Sequence, residues 1–132
     1  MTATFENFEF FRSPPSEESL AKATVARVAF AAGGKRELLD ALAKQLFFPD
    51  YFGYNWDALE ESMQDLLPNQ GRLIAVIHEV IPSDLSDDDL RAYLNVLRRV
   101  MAHRVQVHEP PLRVFFAEHC RGRLQRLARQ DQ

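Results

Sequence analysis

The chain has 132 residues, of which 46% are hydrophobic and 27% charged, with a formal net charge of −3. These values are typical of one soluble globular domain with room for a hydrophobic core. The single cysteine, Cys120, excludes an intramolecular disulfide, and no apolar run approaches the roughly 18 residues of a membrane span. The first residues carry an acid where a signal peptide needs basic charge. We therefore expect an unprocessed cytoplasmic protein that does not enter a membrane.

The chain begins with a phenylalanine-rich extension, which we assign to residues 1–20. Its four phenylalanines precede the breaker cluster Ser13-Pro14-Pro15-Ser16 and are Phe5, Phe8, Phe10 and Phe11. So many apolar rings are unusual in a wholly disordered segment. We expect part of the extension to pack on the domain as an added edge strand or a clamp.

Three short apolar runs, at 25–31, 73–77 and 112–117, predict β-strands. Each run is nearly continuous in apolarity, which is typical of strands buried on both faces of a parallel sheet. Two stripes at helical spacing lie between the runs. The first follows Gly33-Gly34 and is Leu38, Leu39, Leu42 and Leu46; the second is Leu90, Tyr93, Leu94, Leu97, Val100 and Met101. The predicted order is β-α-α-β-α-β, an α/β fold with a small parallel sheet.

Two of the helices have recognisable starts. Ser86 and Asp89 form a capping-box pattern, and Leu85 and Leu90 occupy the positions of a hydrophobic staple. In the second helix Asn55 is a good N-cap, which predicts a helix that begins at the next residue. In the aromatic loop before that cap, we expect Gly53 to adopt a positive φ.

The helix after Asn55 has an acidic face. Between Gln45 and Gly71 there is no Lys or Arg, and the five acids are Asp50, Asp57, Glu60, Glu61 and Asp65. At 100° per residue, Asp57, Glu61 and Gln64 lie within about 60° of each other. The opposite side carries the predicted core stripe of Trp56, Leu59, Met63 and Leu66.

A solvated helix face usually pairs its acids with a basic residue four positions on. Here Asp57 and Glu61 form a like-charge pair at that spacing instead. The ordinary interpretation is a solvated surface, but an acidic face without basic partners favours a cationic partner from outside. The same face disfavours direct contact with RNA or another polyanion.

The loop and helix start contain a set of residues at fixed spacing: Pro49, Tyr51, Phe52, Gly53, Asn55, Asp57, Ala58 and Leu59. This set resembles the signature of the barstar family, intracellular protein inhibitors of a small secreted bacterial ribonuclease. The resemblance extends at the level of pattern over residues 24–117. It implies a small three-stranded parallel sheet packed with helices. It also divides the chain into an N-terminal extension (1–20), a barstar-like domain (21–119) and a basic C-terminal tail (120–132).

The resemblance further implies an immunity protein without enzymatic activity or cofactor. Its acidic helix and loop would block the phosphate-binding cleft of a cationic ribonuclease or related nuclease toxin. The implied partner-binding residues are Tyr51, Phe52, Gly53, Tyr54, Asn55, Asp57, Ala58, Glu60, Glu61 and Gln64.

Some of these positions depart from the family pattern. Glu61 stands where the family has its dominant Asp, and it keeps the charge while adding one methylene. Glu60 and Gln64 replace a Trp and a Thr, and Arg98 or Arg99 falls where the family has another acid. These departures favour a nuclease other than the family's type ribonuclease.

The alternative function is a regulatory binding module on the same fold, with a cationic partner that is not a nuclease. Catalysis by Asp57 and Glu61 is disfavoured because no nucleophile, phosphate loop or metal-ligand set accompanies them. The four histidines, His78, His103, His108 and His119, lack ligand spacing, which favours a surface or strand-end role over metal binding. Cys120 is a lone thiol, which is more often inert than reactive. The Arg-rich tail, with Leu124 and Leu127, predicts a short helix docked on the domain. Its alternative role is weak contact with nucleic acid or an acidic partner.

Overall fold

The computed structural model describes residues 7–16, 18–65 and 71–130. Its strands and helices in chain order are β1 (Phe8–Phe11), β2 (Thr24–Val28), α1 (Lys35–Gln45), α2 (Trp56–Gln64), β3 (Ile74–His78), α3 (Asp87–Gln106), β4 (Leu112–Ala117) and α4 (Arg121–Gln130). A short 3₁₀ turn, Glu118–Cys120, joins β4 to α4. The predicted order β-α-α-β-α-β is confirmed from β2 to β4.

Within the described ranges the sheet consists of four parallel strands in the order β1-β4-β3-β2. The predicted α/β class is confirmed, but the prediction of three strands is wrong because the extension contributes the fourth. Phe8 of β1 is 6% exposed, and its ring lies 5.6 Å from that of Phe116. The Glu9 carboxylate accepts hydrogen bonds of 2.9 and 2.7 Å from Arg113. The expected edge strand is therefore present, and it is held by both apolar and charged contacts.

The central strand β3 is more completely buried than the edge strand β2. All five residues of β3 are buried, as expected for a strand covered on both faces. Edge strand β2 instead alternates between buried and half-buried residues. On its outer side the Arg27 N–H donates to Gln45 Oε1 at 2.7 Å, and the Arg27 carbonyl accepts from Gln45 Nε2 at 2.9 Å. The Gln45 amide thus takes the place of a neighbouring strand and ties the end of α1 to the sheet.

The helical stripes form the core as predicted. The leucines of the first stripe are each at most 1% exposed, and the second stripe is buried except for the half-buried Met101. At the start of α3 the Ser86 hydroxyl accepts a hydrogen bond of 3.0 Å from the Asp89 N–H. Leu124 and Leu127 of α4 are at most 2% exposed and belong to the same core, which confirms the docked C-terminal helix. No helix in the described part of the chain is long and apolar enough to cross a membrane.

Candidate partner-binding site

The loop between α1 and α2 is held in place by stacked aromatic rings. The Phe52 N–H donates to the Pro49 carbonyl at 3.0 Å and closes a tight turn. The Phe52 ring is 7% exposed and lies 5.1 Å from the ring of Phe48 and 5.0 Å from that of Tyr54. Because Phe52 is directed into the core, its neighbour Tyr51 remains at the surface with 85% of its area exposed.

Tyr54 is fastened to α1. Its hydroxyl donates to Asp40 Oδ1 at 3.1 Å, and the Arg36 guanidinium lies 4.3 Å from its ring centre. Asp40 also pairs with Lys44 at 2.9 Å. Hydrogen bonds from Lys44 and Tyr54 hold the pKa of Asp40 below its ordinary value. Tyr54 therefore has its ring and its hydroxyl fixed, and so has the loop around it.

The expectation of a positive φ at Gly53 is wrong. The next residue, Tyr54, is left-handed instead, with φ of 51°, and its anchored side chain holds the backbone in that less favourable region. A Cβ on Gly53 would meet Asn55 Nδ2 at 3.4 Å and the Ala58 Cβ at 3.6 Å, which are ordinary contact distances. Neither φ nor crowding requires glycine at this exposed position, and its missing side chain leaves the surface beside Asn55 open.

Helix α2 begins as predicted. The Asn55 Oδ1 accepts a hydrogen bond of 2.7 Å from the Ala58 N–H, which is the N-cap arrangement. The first helical residue, Trp56, donates from Nε1 to Asp89 Oδ1 at 3.3 Å and packs 5.8 Å from the ring of Tyr93. The start of α2 is therefore fixed from within by its cap and from outside by α3.

The cap leads to a stability prediction. We expect Asn55→Ala to lower the free energy of unfolding by about 1 kcal/mol, because one N–H of the first turn loses its acceptor. Asn55→Asp keeps an acceptor at the same place and should remain within a few tenths of a kcal/mol of the native protein. Urea unfolding of the three proteins measures the difference. Equal losses in both variants would show that the side chain acts through something other than the cap.

The predicted acidic face is formed. Asp57 and Glu61 are exposed and stand one helical turn apart on α2. Together with Glu60 and Gln64 they line one shallow depression of the surface. Neither the Asp57 nor the Glu61 carboxylate has a hydrogen-bond or ion-pair partner among the residues that the structure describes. Two carboxylates thus face solvent on a helix whose start is rigidly held.

The Glu60 carboxylate, unlike those of Asp57 and Glu61, is paired. Its Oε1 accepts a hydrogen bond of 2.8 Å from Arg99 Nε, and its Oε2 accepts one of 3.2 Å from Gln64. Arg99 comes from α3, so no rule based on spacing within α2 could indicate this pair. Of the two arginines considered from the sequence, Arg99 therefore reaches the acidic face, while Arg98 donates to Asn95.

The ten predicted site residues differ in how far they are exposed. Tyr51, Gly53, Asn55, Asp57 and Glu61 are exposed, whereas Tyr54, Ala58, Glu60 and Gln64 are half-buried. Phe52 is in the core, so its side chain supports the loop from the interior of the protein. On the other side of α2, Leu59 and Met63 are buried and Trp56 is half-buried, while Leu66 lies outside the described residues. Sequence reasoning missed Arg99 as a pairing partner, and it missed the exposed ring of Phe47.

Comparison with known proteins places the chain in a family. The family model described as Barstar (barnase inhibitor) matches residues 24–117. No curated protein and no solved structure matches the chain. The matched residues run from β2 to β4 and include every residue of the loop and of α2, while β1 and α4 lie outside them. Because the match covers more than half of the chain, this protein belongs to the barstar family.

Proposed function

We propose that this protein inhibits a cationic ribonuclease by placing α2 and the preceding loop in its phosphate-binding cleft. The observation that carries the proposal is the exposed pair Asp57 and Glu61, which has no basic partner in the described ranges. Like charges at this spacing destabilise a helix slightly, which offsets the stabilisation that Asp57 gives in the first turn. The inhibitor description of the family supports the same reading of the site.

The chemistry follows from what a ribonuclease must bind. Its cleft holds a phosphodiester, and Arg, Lys and His are the side chains that donate to phosphate oxygens. A carboxylate accepts two parallel hydrogen bonds from a guanidinium in the same way as a phosphate does. Asp57 and Glu61 would therefore take positions that two phosphates of RNA otherwise occupy, and Tyr51 would lie against the enzyme as an aromatic anchor.

The loop and the start of α2 are already held in place in the free protein, so few of their side chains lose freedom on binding. The Asn55 cap, the Phe52 ring and the hydrogen bond from Trp56 to Asp89 hold the loop and helix before any partner arrives. Rigid surfaces lose less conformational entropy on binding. The open surface at Gly53 would allow a partner to approach the backbone closely.

The proposal is tested by capture from the lysate and secreted fraction of the source cell. The bait proteins are the native chain, Asp57→Ala/Glu61→Ala, and the charge-matched control Glu18→Ala/Asp84→Ala on other exposed segments. Captured proteins are identified by mass spectrometry, purified and assayed for ribonuclease activity. We expect a basic ribonuclease bound by the native chain and the control only, and inhibited at a one-to-one ratio.

Other outcomes would lead to different conclusions. A cationic partner without nuclease activity, bound through the same two carboxylates, would establish the regulatory binding module instead. Equal capture by all three baits would place the interface elsewhere on the molecule. Protection of cells that co-express the captured ribonuclease would show that inhibition serves self-protection.

Removal of Arg99 should strengthen the attraction to the partner, whereas removal of the carboxylates should weaken it. Arg99→Gln removes the counter-charge of Glu60 and makes the face more negative, so association with the ribonuclease should become about threefold faster at low salt. Stability should fall by no more than about 1 kcal/mol, because the pair is partly exposed. Stopped-flow association rates measure the effect. Arg126→Gln on α4 makes the same change in net charge, and an equal acceleration in that control would contradict a local effect.

A further inference from the structure

Phe47 is unfavourable for the fold in two ways. It follows the last turn of α1 with a φ of 62°, in the left-handed region that glycine and asparagine adopt far more readily than a bulky side chain. Its ring is nevertheless 64% exposed, so most of its apolar area is not buried in the core. Strain at a large, exposed aromatic residue points to a role outside the fold.

The surroundings of Phe47 indicate what the ring could contact. Phe47 lines a surface depression between α1 and the loop, together with Phe48, Pro49 and Phe52. Asp50 lines the same depression, is exposed, and has no ion pair within the described part of the chain. An aromatic surface beside a free carboxylate suits a guanidinium or ammonium group with an aliphatic stem.

The other charges of the depression are already balanced. Asp40 and Lys44 both line it and pair with each other at 2.9 Å. Arg36 of α1 already lies against the Tyr54 ring of the loop at 4.3 Å, which is the kind of contact that a second guanidinium would make with Phe47. Of the charged residues that line the depression, Asp50 is therefore the one left without an ion pair in the described part of the chain.

We propose that Phe47 and Asp50 form a second contact surface for an Arg or Lys side chain of the same partner protein. The identity of that partner rests on the proposed function, whereas the affinity of the surface for a basic side chain does not. The depression and the acidic face share one rigid loop, because Phe52 and Tyr54 line the depression and Asn55 caps α2. A stable protein interface covers roughly 20–30 residues on each side, so a partner seated on Asp57 and Tyr51 must also cover neighbouring surface.

The test uses Phe47→Asn and Asp50→Asn. Asparagine tolerates the left-handed backbone, so Phe47→Asn should leave the melting temperature unchanged or higher while it removes the ring. His108→Asn is the matched control, because His108 is exposed, has φ of 60° and follows the end of α3. It makes the same change to asparagine at a left-handed position away from the loop.

The first measurement is an NMR titration of the full chain with N-acetyl-arginine methylamide, which requires no ribonuclease. We expect saturable shifts of the amides at Phe47, Asp50 and Tyr54 in the native protein and in His108→Asn. These shifts should be lost in Phe47→Asn and in Asp50→Asn. Shifts confined to Asp57 and Glu61, shifts that persist without the ring, or no shifts at all would overturn the proposed surface.

The second measurement is the affinity for the ribonuclease captured through the acidic face. We expect Phe47→Asn to weaken binding about tenfold, equivalent to about 1.4 kcal/mol, and His108→Asn to leave it unchanged. Combining Phe47→Asn with Asp50→Asn should weaken binding by less than the product of the single effects, because both groups hold one side chain. Native affinity in Phe47→Asn, with binding lost in Asp57→Ala, would overturn this inference and leave the proposed function intact. If no ribonuclease binds the native chain, the proposed function fails and the NMR titration alone decides the surface.

Discussion

Asp57→Ala and Glu61→Ala should each weaken ribonuclease binding by about 2–5 kcal/mol while the protein stays folded. That range is typical of charge pairs truncated at interfaces, and the ribonuclease complex of this family is among the examples from which it comes. Both carboxylates are exposed and have no partner among the described residues. Removing them therefore breaks no contact of the free protein. Loss of the like-charge pair stabilises α2 by a few tenths of a kcal/mol, and loss of Asp57 from the first turn offsets that gain.

The measurement is the equilibrium dissociation constant of each variant at two ionic strengths, beside thermal unfolding of the free proteins. Asp57→Asn and Glu61→Gln keep the shape of each side chain and remove only the charge. If electrostatics dominate, these isosteric variants should lose nearly as much affinity as the alanine variants. Their association rates should also depend less on salt, because screening acts on exposed charges. The control Glu18→Ala/Asp84→Ala should bind as the native chain does.

Two results would contradict the site assignment. Folded alanine variants that bind as tightly as the native protein would show that the carboxylates lie outside the interface. Weak binding that comes with a melting temperature lowered by many degrees would show that the residues act through the fold. In that case the exposure of both side chains would be irrelevant to the interface.

The parts of this fold that follow from nearby residues could be predicted from the sequence. The Asn55 cap depends on an acceptor three residues from the N–H that it binds, and the leucine stripe of α1 depends only on helical periodicity. The same local reasoning correctly placed Ser86 at the start of α3. The acidic face of α2 was equally predictable, because helical geometry fixes which side chains share a side.

The errors arose where distant segments decide the structure. Arg99 reaches Glu60 across 39 residues, and β1 gains its place through contacts with β4 more than 100 residues away. The apolar pattern of a four-residue strand cannot specify such a partner. The positive φ moved from Gly53 to Tyr54 because Asp40 and Arg36 of α1 hold the tyrosine. Glycine was expected there on the basis of its own flexibility, without the anchor that the neighbouring helix supplies.

His78 is a titratable residue that is buried in the core. The sequence favoured a surface or strand-end role, and His78 does end β3, but it is 1% exposed. Its Nδ1 lies 2.8 Å from the Phe115 carbonyl and its Nε2 lies 2.7 Å from the Tyr93 hydroxyl. The carbonyl only accepts, so Nδ1 carries the proton and Nε2 accepts from the tyrosine. Burial raises the pKa of Tyr93, which keeps that hydroxyl protonated as the donor.

Acidification should therefore destabilise the protein through this one residue. Burial lowers the pKa of His78 from 6.5 to about 4, so the unfolded chain takes up a proton before the folded chain does. Stability from the neutral ring is fully present above pH 6.5 and is lost as the pH falls from about 6.5 to about 4. The pKa difference corresponds to roughly 3 kcal/mol. Tyr93 also packs on Trp56 at the start of α2. Protonation of His78 should therefore also disturb the contact that holds the acidic helix in place.

The prediction is tested by urea unfolding at pH values between 7.5 and 4, with His78→Leu/Tyr93→Phe as the reference. The double variant removes the titrating ring together with the hydroxyl that bonds it, whereas the surface carboxylates remain and titrate alike in both proteins. We expect the native protein to lose about 3 kcal/mol more than the variant over this range. An NMR titration of His78 should show a ring that stays neutral in the folded protein at pH 5.5. Parallel losses of stability in the two proteins, or a ring protonated near pH 6.5 in the folded state, would exclude His78 as the origin of acid sensitivity.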